Sequence, residues 1–412
     1  MTTNENEGLL RKLKEQEPIS EIDQEAETLF QTGDFADPSP TVTQEQEPAE
    51  VNQCAELCEL YQNILDEKRH SWTTHLRLLK KLGAGGQGVV YLTERRGSDS
   101  FTLPVALKVF SPERYANPIH YDSDMARMGR VAARVARIQH ENLLVVENFL
   151  DRDRIRLMVM EWVEGFDLRR LLTPRMFGVV KERFSVKRWE HVNDVLITAG
   201  PEQPRFKAGV AVAIVRNCLD ALAAMHRQDI VHGDIKPGNI MLKRSGHSKI
   251  IDIGSAFEVA DPPQRRACTP AYAALEVLEG NENTPRSDLA SLGFVTIELL
   301  AGRPVFGGIN DLQELLEAKR TVSDRLEELL PEDVACNELL VAFCRGLIAP
   351  DPADRFPSAE EADMVDDVGA AAFHRQLVKN DMASEYENDI RIWIDELFEI
   401  EEASPGFLTQ QA

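Results

Sequence analysis

From residue 75 to 161 the chain reads as short strands broken by glycine, and beyond Gly165 it reads almost wholly as helix. That one-way switch limits the fold more than any other feature. Strand patterns fall at 75–82, 88–93, 102–110, 143–150 and 155–161, with one helical stretch at 123–139 among them. Helical patterns follow at 209–227, 286–300, 312–316 and 337–347. Strands first and helices afterwards predict an α+β protein of two lobes. The smaller is an antiparallel sheet with one helix and the larger is mainly helical.

The two ends differ in kind from the middle. Residues 1–53 carry 13 acidic and 3 basic side chains and residues 357–412 carry 14 and 3, which together hold nearly all of the formal charge of −23. Residues 1–53, rich in Glu, Gln, Thr and Pro, predict a disordered acidic extension. An amphipathic helix and linker are expected at 54–74, with Leu57, Leu60, Tyr61 and Leu65 at helical spacing. One domain then spans 75–366, with an insertion at about 173–206 that mixes basic and aromatic residues such as Arg175, Lys181, Phe184 and Trp189. The remainder, 367–412, reads as an acidic helical extension whose Ile390, Ile392, Ile394, Leu397 and Phe398 dock on the same domain or on a partner, the same domain being the plainer expectation. The tails and the insertion are candidate docking surfaces for a partner.

The missing clusters of Lys and Arg argue against nucleic-acid binding. No apolar run approaches the about 20 residues of a membrane span, so no membrane association is expected and the location expected is cytoplasmic. The six cysteines show no CxxC pair or His-bearing metal spacing and read as reduced thiols.

Three motifs carry chemistry. Gly83-Ala84-Gly85-Gly86-Gln87-Gly88-Val89-Val90 lies between two predicted strands, where residues without a Cβ let backbone amides approach phosphate oxygens. A dinucleotide-binding fold would put a helix after the third glycine, whereas here the strand pattern resumes. Val105-Ala106-Leu107-Lys108 sets one lysine in an apolar strand, where a buried ammonium needs an anionic partner. His232-Gly233-Asp234-Ile235-Lys236-Pro237-Gly238-Asn239 is followed shortly by Ile251-Asp252-Ile253-Gly254. Two carboxylates, an amide and a lysine in neighbouring loops suit magnesium phosphate chemistry. Asn239 and Asp252 offer hard oxygen ligands, Lys236 neutralises a phosphoryl group and Asp234 orients a hydroxyl.

These motifs, in this order, resemble the Hanks-type (eukaryotic-like) protein kinase superfamily over about residues 75–366. The resemblance implies ATP and Mg2+ as cofactors and a protein Ser/Thr hydroxyl as acceptor. It makes Lys108 the contact to the α- and β-phosphates, Asp234 the catalytic base, with Lys236 beside it, and Asn239 and Asp252 the Mg2+ ligands. Gly83, Gly85 and Gly88 become the phosphate-covering turn, and Val90, Ala106 and Met241 line the nucleotide. Met160 becomes the gatekeeper, Glu161 to Val163 the hinge and Asp167 the acid near the ribose. Outside the nucleotide site, the Thr269–Glu276 segment, Asp288 and Arg355 match substrate-lobe features, with Arg355 the ion-pair partner of Glu276. Lys236 and Thr269 resemble the serine/threonine branch, and the single-kinase layout reads as bacterial.

The chain departs from the family in two places. Where the small-lobe helix should carry a glutamate for Lys108, counting back from His140 gives Val131, so Lys108 either takes Asp122, Asp124 or Glu147 as a surrogate or is held only by ATP. Gly233 replaces the arginine that pairs with a phosphorylated activation loop, and Ser255, Thr269 and Tyr272 are the hydroxyls between residues 255 and 276. No switching by loop phosphorylation is therefore expected. The alternative reading is an ATP-binding pseudokinase that serves as a scaffold.

Overall fold

In a computed structural model the protein is described over residues 42–43, 54–67, 69–71, 75–97, 99–263, 267–364, 368–379 and 386–403. Apart from Val42 and Thr43, which pair with Ala267–Cys268, the expected disorder of 1–53 lies outside these residues.

Helix α1 (Ala55–Asp66) buries Leu57, Tyr61 and Ile64, together with Cys54 just before it. It packs on the small lobe, a six-stranded antiparallel sheet. The strands are β1 (Arg69–Ser71), β2 (His75–Gly85), β3 (Gly88–Arg96), β4 (Thr102–Phe110), β5 (Val146–Arg152) and β6 (Ile155–Glu161), in the order β1-β2-β3-β4-β6-β5. Strand β4 is central, and Val105 to Phe110 are all buried, as expected where both faces are covered.

Helix α2 (Pro118–Val135) lies against this sheet through Tyr121, Met125, Met128, Val131, Ala132 and Val135. It begins five residues earlier than the sequence pattern suggested. The Asn117 side chain accepts from the His120 amide and Pro118 fills the first turn, so an N-cap followed by proline sets the start.

A three-stranded sheet, β7 (Gly165–Asp167), β8 (Ile240–Lys243) and β9 (Ser248–Ile250), stands at the junction of the lobes, in the order β9-β8-β7. The insertion folds as helices α3 (Pro174–Arg183) and α4 (Val186–Val195), capped by Thr173 and Ser185, and buries Met176, Val179, Val180 and Val192. The core of the large lobe is α5 (Ala208–His226), α6 (Pro285–Ala301) and α8 (Glu338–Ile348), with α7 (Leu312–Thr321) outside them. A Cβ on Gly293 of α6 would stand 2.6 Å from the Ile348 side chain, so glycine sets the approach of α6 to α8. Helix α5 corrects one expectation: it is long and apolar enough to cross a membrane, with mean hydropathy 1.6. Most of it is buried inside the lobe.

The C-terminal helix α9 (Tyr386–Ala403) belongs to the same core. Tyr386, Ile390, Trp393, Ile394 and Leu397 are buried, and Trp393 meets Phe206 edge-on at 6.2 Å. Arg188 grips Glu396 with two nitrogens at 2.8 and 2.9 Å. Two glycines make room for the helix. A Cβ on Gly209 would lie 2.4 Å from the Tyr386 ring, and one on Gly246 would lie 2.3 Å from the Glu387 carbonyl oxygen. Gly246 also has φ +92, which an L side chain rarely adopts. Gly246→Ala should therefore cost about 2 kcal/mol by urea denaturation. Removal of residues 386–412 should cost more, since each large apolar side chain uncovered forfeits roughly 1.5–3 kcal/mol. An unchanged urea midpoint in either variant would separate α9 from the core.

Candidate active site

The β2–β3 hairpin puts the glycine-rich turn over the lobe junction. Gly83 and Gly85 have no atom within 4 Å of an added Cβ, so their faces are open to a ligand. Gly88 is the reverse case: its φ is +138 and a Cβ would stand 1.9 Å from the Val109 carbonyl oxygen, which presses the turn onto β4. The strand registers gather the other residues. Val90 lies opposite Lys108, Ala106 opposite Met160, and Met241 opposite Asp167. Val163, just past β6, is buried.

Lys108 is 3% exposed, and its Nζ lies 2.5 Å from Asp252 Oδ1 and 2.8 Å from Gln87 Oε1. The expected surrogates are all occupied elsewhere. Asp122 pairs with Arg154 and Arg156, Asp124 with Arg127, Arg114 and Tyr115, and Glu147 with Arg95. The lysine thus takes its carboxylate from the large lobe. Asp252 itself has φ +59, and the Gly254 amide donates to its Oδ1 at 2.9 Å. Burial alone would raise its pKa, yet Lys108 and the Gly254 amide bring it down to about 2.

Around Asp234 the contacts form a closed set. Thr269 donates from its hydroxyl and its backbone amide to Asp234 Oδ1, at 2.8 and 3.1 Å. Lys236 Nζ donates to Thr269 Oγ1 at 2.9 Å and lies 3.1 Å from Asp234 Oδ2. The Asn239 amide nitrogen donates to the Asp234 carbonyl at 2.7 Å, which leaves its amide oxygen for another partner. Asp288, 1% exposed, braces this loop from behind by accepting from the His232 and Gly233 amides at 2.8 and 2.9 Å.

Glu161 and Asp167 are otherwise engaged through their side chains. Glu161 pairs with Lys249 at 2.5 Å and accepts from the Val145 amide at 2.7 Å, while its own amide donates to the Val145 carbonyl at 3.0 Å. Asp167 caps the short helix Leu168–Leu171 by accepting from the Arg170 amide, and burial raises its pKa.

The residues fit a magnesium–phosphate ligand. The turn is an open cradle that a Cβ would begin to fill, and Asn239 and Asp252 supply two hard oxygen donors. Among the described residues no group of three His, Cys, Asp or Glu side chains could hold a metal alone. A cation there would complete its shell with phosphate oxygens and water, the usual habit of Mg2+.

Below the site, Arg355 NH1 and NH2 each lie 2.7 Å from a Glu276 oxygen, and Ser287 donates to the same carboxylate at 2.7 Å. Burial would raise the Glu276 pKa, but Arg355 lowers it. No motif in the chain announces Lys319. It is 1% exposed, lies 4.1 Å from the ring centres of both Phe294 and Phe306, and donates to the Ala271 carbonyl at 2.9 Å. It pins the segment after Thr269 from beneath.

Helix α2 is fixed by its arginines. Arg127 donates to the Ala256 carbonyl at 3.3 Å, Arg130 meets Asp261 at 2.6 Å and Arg134 meets Glu258 at 2.7 Å. All three partners lie on the segment that follows Asp252.

The protein kinase domain family matches residues 76–364, and the chain belongs to that family. It is 28% identical to Serine/threonine-protein kinase PrkC of Bacillus subtilis (strain 168) over 294 residues, 70% of this chain and 39% of that protein. It is 31% identical to Serine/threonine-protein kinase PknL of Mycobacterium tuberculosis (strain CDC 1551 / Oshkosh) over 291 residues, 68% and 61% respectively. Against Serine/threonine-protein kinase PkaA of Streptomyces coelicolor the figures are 29% over 301 residues, 69% and 48%. The chain therefore spans about two fifths to three fifths of the length of these relatives.

Arg355→Ala would leave the Glu276 carboxylate buried without its cation and should cost about 3–5 kcal/mol at neutral pH. Because the Glu276 pKa is lowered on folding, the pair stabilises above the ordinary carboxylate range. That contribution fades as pH falls through the lowered value. The wild type and Arg355→Ala should thus converge in acid, and an equal gap at neutral and acid pH would contradict the assignment.

Proposed function

We propose that this chain is an active serine/threonine protein kinase, transferring the γ-phosphoryl group of ATP to Ser or Thr hydroxyls of proteins, independently of activation-loop phosphorylation. The observation that carries this reading is the set of contacts that Thr269, Lys236 and Asn239 make with Asp234. It holds one carboxylate still while leaving Oδ2 beside a cation.

Each residue then has a role. The open turn at Gly83 and Gly85 and the buried Lys108 receive the phosphates, while Val90, Ala106, Met160 and Met241 hold the adenine. Asn239 and Asp252 would hold Mg2+, which supplies charge neutralisation across the phosphates. The acceptor hydroxyl oxygen attacks the γ-phosphorus and its proton passes to Asp234. The bond to the bridging oxygen breaks, and that oxygen leaves with its electron pair on ADP. Lys236 stabilises the negative charge on the transferring group. The reading also places the reaction in the cytoplasm, where ATP is made available to such enzymes.

Two observations support independence from loop phosphorylation. Gly233 has φ +78, a conformation poorly suited to the arginine that would receive a phosphate. The Arg127, Arg130 and Arg134 contacts already tie α2 to the segment after Asp252. The scaffold reading rests on Val131, and the pairing of Lys108 with Asp252 weakens it by giving the lysine a carboxylate.

The test is Mg2+-dependent transfer of labelled γ-phosphate to a generic Ser/Thr protein. Asp234→Ala should lose roughly a hundredfold to ten-thousandfold of the rate, the usual worth of a general base. No transfer by the wild type with ATP bound would favour the scaffold. Phosphatase treatment of the wild type should leave the rate unchanged, and a large fall would refute independence from loop phosphate.

A further inference from the structure

We infer that Gln87 is the positioning residue for Lys108, an uncharged substitute on the glycine-rich turn for the carboxylate that α2 lacks. The inference rests on reading Lys108 as the phosphate-binding lysine of an ATP site. A buried ammonium has three N–H groups to satisfy and tolerates few orientations. Helix α2 presents Val131, 1% exposed, within the apolar core, and its acids Asp122 and Asp124 are held by arginines. Lys108 instead donates to Asp252 from the large lobe and to Gln87 from the turn above.

The amide is oriented from both ends. Gln87 Oε1 accepts from Lys108 at 2.8 Å while Gln87 Nε2 donates to Ser255 Oγ at 2.9 Å. Its backbone is fixed as well, because the Gln87 carbonyl accepts from the Ser111 amide at 3.0 Å. The close seat of Gly88 on β4 holds the turn down at that point. The floor beneath is Gly254, where a Cβ would stand 2.1 Å from Gln87 Oε1 and 2.6 Å from Lys108 Nζ. The glycine at 254 is therefore what lets amide, ammonium and Asp252 meet.

Charge explains why an amide serves here. With Asp252 already 2.5 Å from Lys108, a second carboxylate would give the cluster a net negative charge facing incoming phosphates. Glutamine supplies an acceptor without charge. Two of the lysine's three donors are then used, and one remains for a phosphate oxygen.

The experiment compares Mg2+–ATP and adenosine affinities by calorimetry, in the full chain. The variants are wild type, Gln87→Met, Lys108→Met and the double variant. Methionine keeps the length of glutamine and removes its hydrogen bonds. Gln87→Met should weaken ATP about tenfold, in keeping with a lost hydrogen bond to a charged group, and leave adenosine within about twofold. In the Lys108→Met background the same change should have no effect on ATP.

Unchanged or tighter ATP binding by Gln87→Met would overturn the inference, the latter by making the amide a plug. So would equal weakening of adenosine, or full additivity with Lys108→Met. A wild type that binds ATP no better than adenosine would remove the site reading, and this inference with it.

Discussion

The structure depends on one contact between lobes, that of Lys108 on β4 with Asp252 just past β9. An ammonium held at 3% exposure in an apolar sheet is costly by several kcal/mol unless an anion answers it. In this chain the anion comes from the other lobe. The small lobe therefore satisfies its buried charge only when it sits on the large lobe in the correct register. The same carboxylate is one of two oxygen ligands on offer to a cation. Lobe closure, lysine placement and the proposed metal site thus meet on a single side chain.

Helix α2, which brings no acid to Lys108, shows how the fold manages without one. Its inward face is apolar from Tyr121 to Val135, so it packs as a core helix. Its position is set from its outer side by Arg127, Arg130 and Arg134 on the segment after Asp252. Ion pairs of this exposure contribute little energy one by one. Two of them and one hydrogen bond to a carbonyl, on adjacent turns, nevertheless fix a register, and register is what the site requires.

Much of this was legible in the sequence. Strands 102–110 and 155–161 have the bounds read from their periodicity, and the residues singled out in the catalytic loop do converge on Asp234. What escaped was carried by contacts between distant residues. Asp122, Asp124 and Glu147 flank the stretch of helix that has no carboxylate and so are the candidates that sequence offers Lys108, but arginines and a tyrosine claim them. The C-terminal helix could be seen as amphipathic, whereas the glycines that admit it, Gly209 and Gly246, lie far from it in the chain and in no motif. Lys319 has no sequence signature, since nothing local tells a buried lysine between two phenylalanines from a surface one.

In the proposed reaction Asp252 serves both Lys108 and a magnesium ion bound with nucleotide. Titration of Mg2+ against ATP affinity in the wild type and in Asp252→Asn checks this double role. Mg2+ should strengthen ATP binding by the wild type and have little effect on the variant, while adenosine should bind both alike. Equal strengthening by Mg2+ in the two proteins would contradict it, and would assign the metal to other ligands.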